Sequence, residues 1–189
     1  KGGGLAGPGM QRKVETTLGR ARGSSRGGCD GGGLDHQEEA EMRHRLIADG
    51  VQKTWAVVFE AGEEAAAGLL AFAREKKLSA SHFTAIGAFS EVELGFFEME
   101  KKDYRRITIR EQVEVLTLAG DVALHQEEPK VHAHVVVGKI DGSAWGGHLL
   151  RATVRPTLEV ILTESPAHLR RAHDEASGLP LIDPEKRAG

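Results

Sequence analysis

The chain of 189 residues has a single cysteine, Cys29. That excludes a disulfide framework and a cysteine-based zinc site, and it makes a reducing compartment the economical expectation. No apolar run approaches the roughly 18 residues of a membrane-spanning helix, and the N-terminal stretch lacks the apolar core of a secretory signal. The expectation is a cytoplasmic protein with no membrane partner. Positive charge is also short: 25 Lys and Arg against 28 Asp and Glu leave a net charge of -3. A sequence pI of about 6.3 gives no general drive toward nucleic acid, so any DNA binding by the folded part needs a local basic patch. No internal repeat occurs at solenoid or propeller spacing.

What is present suffices for one core, because 40% of the residues are hydrophobic. Glycine is distributed unevenly. Of the 24 glycines, half precede Met42, in KGGGLAGPGM and GRARGSSRGGCDGGGLD. That composition cannot offset its ordering entropy. Residues 1–41 are therefore expected to be a disordered tail, or sequence upstream of a natural start at Met42. Residues 42–170 form the expected domain, and 171–189 a C-terminal extension.

Within the domain, Trp55 to Phe59 reads as a buried strand ended by Gly62. Glu63 to Lys77 reads as a helix with an apolar stripe of Leu69, Leu70, Phe72 and Ala73. Its charges suit the helix dipole, Glu63 and Glu64 in the first turn and Lys76 and Lys77 in the last. Strands follow at His82 to Ala88 and Val92 to Glu98 around a turn near Ser90, then at Arg105 to Arg110 and Val113 to Leu118. Three more run through His132, through His148 and from Thr157 to Thr163, with Pro156 at the head of the last, where a missing amide does least harm. Ala167 to Glu175 reads as a short helix. These strands and one long helix predict a single α+β domain with a largely antiparallel sheet.

The most informative stretch is Val131-His132-Ala133-His134, followed after an Asp141-Gly142 turn by Gly146-Gly147-His148. Strand alternation puts His132 and His134 on one face. A two-residue turn at Asp141-Gly142 would pair His148 with Val135 and aim it at the wrong face. One extra residue repairs this, and a bulge at Gly146 or Gly147 would set His148 opposite Val136, diagonal to His134. Three converging imidazoles suit zinc or a similar divalent ion, with one position left open for water.

The run from Val131 to Glu164, VHAHVVVGKIDGSAWGGHLLRATVRPTLEVILTE, closely resembles the prokaryotic branch of the plants-and-prokaryotes-conserved domain family. VEVLTLAGDVAL, Val113 to Leu124, resembles that family's central strand and the turn after it. The resemblance implies a compact α+β domain, a homotrimer, and a metal, usually zinc, at His132, His134 and His148. It also carries a DNA-binding label, by analogy with plant members that bear AT-hooks. Here Gly19-Arg20-Ala21-Arg22-Gly23 departs from the hook core, with Ala for the central Gly and no Pro, which removes the geometry needed in a narrow minor groove. A closed trimer also has a physical motive, since long apolar strands leave edges and faces that need cover. A small ligand would then fit a cleft between subunits.

Three carboxylates are further candidates. Glu114, among Val113, Val115, Leu116 and Leu118, would orient a ligand His, act as base for metal-bound water, or pair with Arg106 or Arg155. Glu159 has the same readings. Asp141 belongs chiefly to its turn. His125, His168 and His173 read as solvated, and His36 and His44 as mobile. The preferred function is a metal-binding module with a DNA-binding or regulatory role. The alternatives are a metal-dependent enzyme acting through metal-bound water and a structural metal staple.

Overall fold

The computed structural model describes residues 41–186 of the chain. The element order is β1 (Arg43–Asp49), β2 (Lys53–Phe59), α1 (Ala65–Glu75), β3 (Ala80–Glu98), β4 (Asp103–Ile109), β5 (Val113–His125), β6 (Glu128–Gly138), β7 (Ala144–Glu164), β8 (Arg170–His173) and β9 (Pro180–Asp183). The strands form one sheet, antiparallel except where β5 meets β8. Four of them pair in a closed circuit: β3 with β5, β5 with β6, β6 with β7, and β7 with β3. Closure of this kind removes free edges from the centre of the sheet.

Period-two patterning builds the core. Ala133, Val135 and Val137 of β6 are buried with Leu158, Val160 and Leu162 of β7 and Phe83, Phe89 and Leu94 of β3, while His134 and Val136 point the other way. Helix α1 buries Ala65, Leu69, Phe72 and Ala73 against the same core. Among the described residues, no helix is long and apolar enough to cross a membrane.

The structure corrects several expectations. The helix is shorter than Glu63 to Lys77. Glu64 lies outside it as the N-cap, its carboxylate accepting hydrogen bonds from the amides of Ala66 and Ala67. Side-chain capping thus replaces the expected first-turn charge. The turn near Ser90 is instead a register shift inside the continuous strand β3, because strands on both flanks keep it extended. β5 runs on to His125, and Pro156 lies within β7 rather than at a strand head. The segment read as a helix at Ala167 to Glu175 contains β8, where Arg170 and Arg171 are drawn into the sheet. His44, expected to be mobile, sits in β1 with its ring edge-on to Trp55 and Phe72. Residues 1–40, with the Gly-rich stretch and Gly19–Gly23, lie outside the described residues.

Glu64 does more than cap. The same Oε1 that accepts from Ala66 also accepts from the Ala152 amide of β7 at 2.9 Å, so one carboxylate ties the helix to the sheet. Glu64→Ala leaves three amides short of a partner and is expected to cost about 1–3 kcal/mol. The denaturant midpoint should fall accordingly, with Glu64→Gln intermediate. An unchanged midpoint would show that water replaces the carboxylate without loss.

Candidate metal centre

His132 and His134 stand two residues apart on β6, and His148 stands on β7 directly opposite His134. The expected register, with His148 opposite Val136 and diagonal to His134, is therefore corrected. The extra residue that the hairpin needs lies in the turn and not at Gly146 or Gly147. Gly142 donates its amide to Lys139 O at 2.9 Å, and Lys139 donates to Ser143 O at 2.8 Å. A three-residue loop, Ile140-Asp141-Gly142, thus closes the hairpin, with Gly142 at φ +82°, a left-handed conformation that glycine adopts without penalty.

This register gathers the three rings on the sheet face opposite the core. One potential ligand nitrogen from each His lies within 4.8 Å of the other two. The Nε2 atoms of His132 and His134 are 3.2 Å apart. Zinc–nitrogen bonds of 2.0–2.1 Å at a tetrahedral angle separate two ligand nitrogens by about 3.3 Å, so this pair suits a shared ion. The rings of His132 and His148 are stacked at 5.2 Å, and His134 meets each of them edge-on.

The electrostatics favour neutral imidazoles. Burial, the fields of His132 and His134, and then Lys130 push the His148 pKa down to about 4. Burial and the neighbouring His132 lower that of His134. A neutral imidazole has the lone pair that a cation requires. The Nδ1 of His148 is buried and has no hydrogen-bond partner among the described residues.

Two residues that the sequence reading did not select complete the surroundings. Asp121 of β5 is paired in register with His132, and its Oδ2 lies 3.6 Å from His132 Nδ1. Its Oδ1 accepts from Arg171 Nη2. Arg171, only 5% exposed, also donates to Pro180 O at 3.2 Å. Tyr104 of β4 stacks on His148 with a centroid distance of 4.8 Å. The ring lies over Gly95, where any Cβ would come within 2.7 Å of Tyr104 Cδ1.

The three carboxylates named as candidates are elsewhere. Glu114 and Glu159 border a separate depression with Ile86 and Leu116. Glu114 pairs in register with Gly138, whereas His134 pairs with Ala119. Among the described residues it forms no ion pair, and Arg106 binds Glu93 instead. Alternation turns Glu114 outward while Val113 and Val115 go into the core, so it needs no buried partner. Asp141 is committed to its turn, accepting from the Ser143 amide and hydroxyl.

The family model of the Plants and Prokaryotes Conserved (PCC) domain matches residues 47–166. The chain belongs to this family. Solved structures agree with the PCC fold. A "putative DNA-binding protein" of Bacteroides thetaiotaomicron is similar at 30% identity with a TM-score of 0.70, over 76% of this chain and 99% of that one. A metal-containing protein of Archaeoglobus fulgidus is 32% identical with a TM-score of 0.64, over 75% and 96%. A plant- and prokaryote-conserved protein of Pyrococcus horikoshii is 29% identical with a TM-score of 0.66, over 76% and 96%. The chain also resembles proteins named bifunctional protein GlmU from two Synechococcus strains, at 30% identity over 130 residues in one, which is 67% of this chain. It spans about a fifth of the length of those relatives.

The Arg171–Asp121 pair joins the matched residues to β8, which lies beyond them, and it is a costly electrostatic element because the guanidinium has left water. Arg171→Met strands the carboxylate and should destabilise the domain by about 2–4 kcal/mol, less than a fully buried pair would lose because Asp121 keeps some solvent contact. Arg105→Met removes an exposed pair with Glu98 and should leave the denaturant midpoint where it was. Equal midpoints for the two variants would mean that Arg171 gains nothing from its burial.

Proposed function

We propose that this PCC-domain chain binds a divalent metal, zinc by preference, through His132, His134 and His148, and that the loaded domain has a regulatory role that includes contact with DNA. The carrying observation is the convergence of three imidazoles from two paired strands, with the His132 and His134 Nε2 atoms 3.2 Å apart. Similarity to a metal-containing protein and to proteins described as DNA-binding supports the reading. Asp121 would hold the His132 ring with Nδ1 toward the carboxylate, leaving Nε2 for the ion.

The chain's own charges oppose DNA binding by a single copy. Arg105, Arg106 and Arg110 on and beside β4 are matched by Glu98, Glu93 and Glu91. DNA contact would therefore come from a surface assembled from several copies in the cytoplasm. A homotrimer has support in the uncovered sheet face, where Ile86, Leu116 and Ile161 are 62%, 54% and 48% exposed.

A second reading, a metal-dependent enzyme, draws on the exposure of His134. A site open to solvent leaves a coordination position for water, and zinc supplies a lowered pKa to water held there. Small-molecule substrates belong to that reading.

Metal content per chain, measured by mass spectrometry on untagged protein, tests the proposal. Near-stoichiometric zinc is expected in wild type and a loss of at least about tenfold in occupancy for each of His132→Ala, His134→Ala and His148→Ala. Wild-type protein that is free of metal and takes up none when zinc is added would remove both readings. For the regulatory role, DNA affinity of the loaded protein should fall steeply with salt as counterions are released; salt-independent or absent binding would count against it.

A further inference from the structure

Lys130 precedes His132 and His134 on β6 by two and four residues, and alternation puts its side chain on their face of the sheet. In register it stands opposite Ala123, the next residue after Asp121 on that face of β5. Its ammonium is one of the charges that depress the His148 pKa. The face therefore carries a cation beside the three imidazoles.

Among the described residues nothing pairs with that cation. Asp121 is held by the Arg171 guanidinium and faces His132, and Glu128, two residues before Lys130, is turned to Arg74 at 3.8 Å. There is also room beside it, because β6 is paired unevenly. Residues 128–133 have β5 on one side, but β7 joins the other side only from His134 onward and beyond that fork turns to β3. On the core side α1 lies over the gap, leaving a cavity of about 600 Å³. On the imidazole face the flank of Lys130 and His132 has no strand beside it. Lys130 and His134 are exposed there, and the His132 side chain is 41% exposed.

We propose that Lys130 and an ion held by the three imidazoles together bind a small organic carboxylate, one oxygen on the ion and the other on the ammonium. The inference rests on the metal reading above and names the ligand class of that site. Two charged points match the two oxygens of a carboxylate. Neutral imidazoles leave the charge of a divalent ion intact, and Asp121 is already answered by Arg171, so the face attracts an anion. A phosphate would bring a further oxygen and a second negative charge onto the face that carries Asp121. A neutral amide would forgo the charge-assisted bond to the ammonium. In the regulatory reading the carboxylate is an effector; in the enzymatic one it belongs to a substrate.

Cobalt is the probe ion, loaded into the full-length chain, because its visible bands report what occupies the open position. Acetate is titrated into the loaded protein, with acetamide and phosphate as controls. Acetate should shift the bands saturably and bind about tenfold or more tighter than acetamide. Lys130→Gln should take up cobalt with an unchanged spectrum and lose about tenfold in acetate affinity, and Lys130→Arg should restore most of it. Lys53→Gln, the same loss of charge at the head of β2, should bind acetate as wild type does. Absence of cobalt bands in wild type would remove the metal reading and this inference with it. Cobalt bands with equal acetate affinity in wild type and Lys130→Gln would leave the metal reading standing and overturn the role of Lys130. Bands that acetate does not move, or that phosphate moves at lower concentration, would overturn the carboxylate assignment in the same way.

Discussion

The register of the hairpin between β6 and β7 is the constraint on which the candidate site depends. Side chains alternate with a period of two, so a slip of one residue would turn His148 into the core and a leucine out of it. What prevents the slip is local. Gly142 takes up a left-handed conformation, and Lys139 and Ser143 close the loop behind it. Asp141 accepts from both the amide and the hydroxyl of Ser143. The core then enforces the same answer independently, because Val135 and Val137 can be buried only if His134 and Val136 are not. Turn chemistry and burial agree, and consistency of this kind is what gives a sequence a single register.

Register brings the rings together; it does not orient them equally. His134 and His148 lie where β6 is flanked by β5 and β7 alike. His132 lies on the stretch of β6 that has a partner on one side only. A ring there is less confined by its backbone, and it is there that the Asp121 carboxylate and, behind it, the buried Arg171 are found. The guanidinium in turn reaches a carbonyl in β9. The C-terminal strands thus have a function beyond covering the sheet, because through Arg171 they hold the carboxylate that faces the least constrained imidazole.

Much of this was legible in the sequence, and the limits have physical causes. The H-x-H spacing alone placed two rings on one face, since alternation is geometry rather than context. The need for one extra hairpin residue followed from the same rule. Its location did not, because Gly142, Gly146 and Gly147 all tolerate the required backbone and only the loop hydrogen bonds distinguish them. Asp121 was hidden by the end given to β5. With the strand extended past Gly120, register would have set it opposite His132. Arg171 could not be found by local pattern, because an arginine in a polar segment reads as solvated until a strand 50 residues earlier supplies its carboxylate. Glu114 erred the other way: apolar neighbours in sequence suggested burial, whereas alternation sends Val113 and Val115 inward and the carboxylate out, on the same side as the exposed Leu116.

The same alternation divides β6 between two environments. Val131 and Ala133 border the cavity beneath α1, and His132 and His134, the residues interleaved with them, face the opposite side. The fork that opens the cavity is also the reason His132 lacks a strand on one flank. A strand paired on one side can shift more readily than one paired on both, since fewer hydrogen bonds oppose the movement. His132 is thus the imidazole whose position depends most on a side chain, the Asp121 carboxylate, and least on the strands beside it.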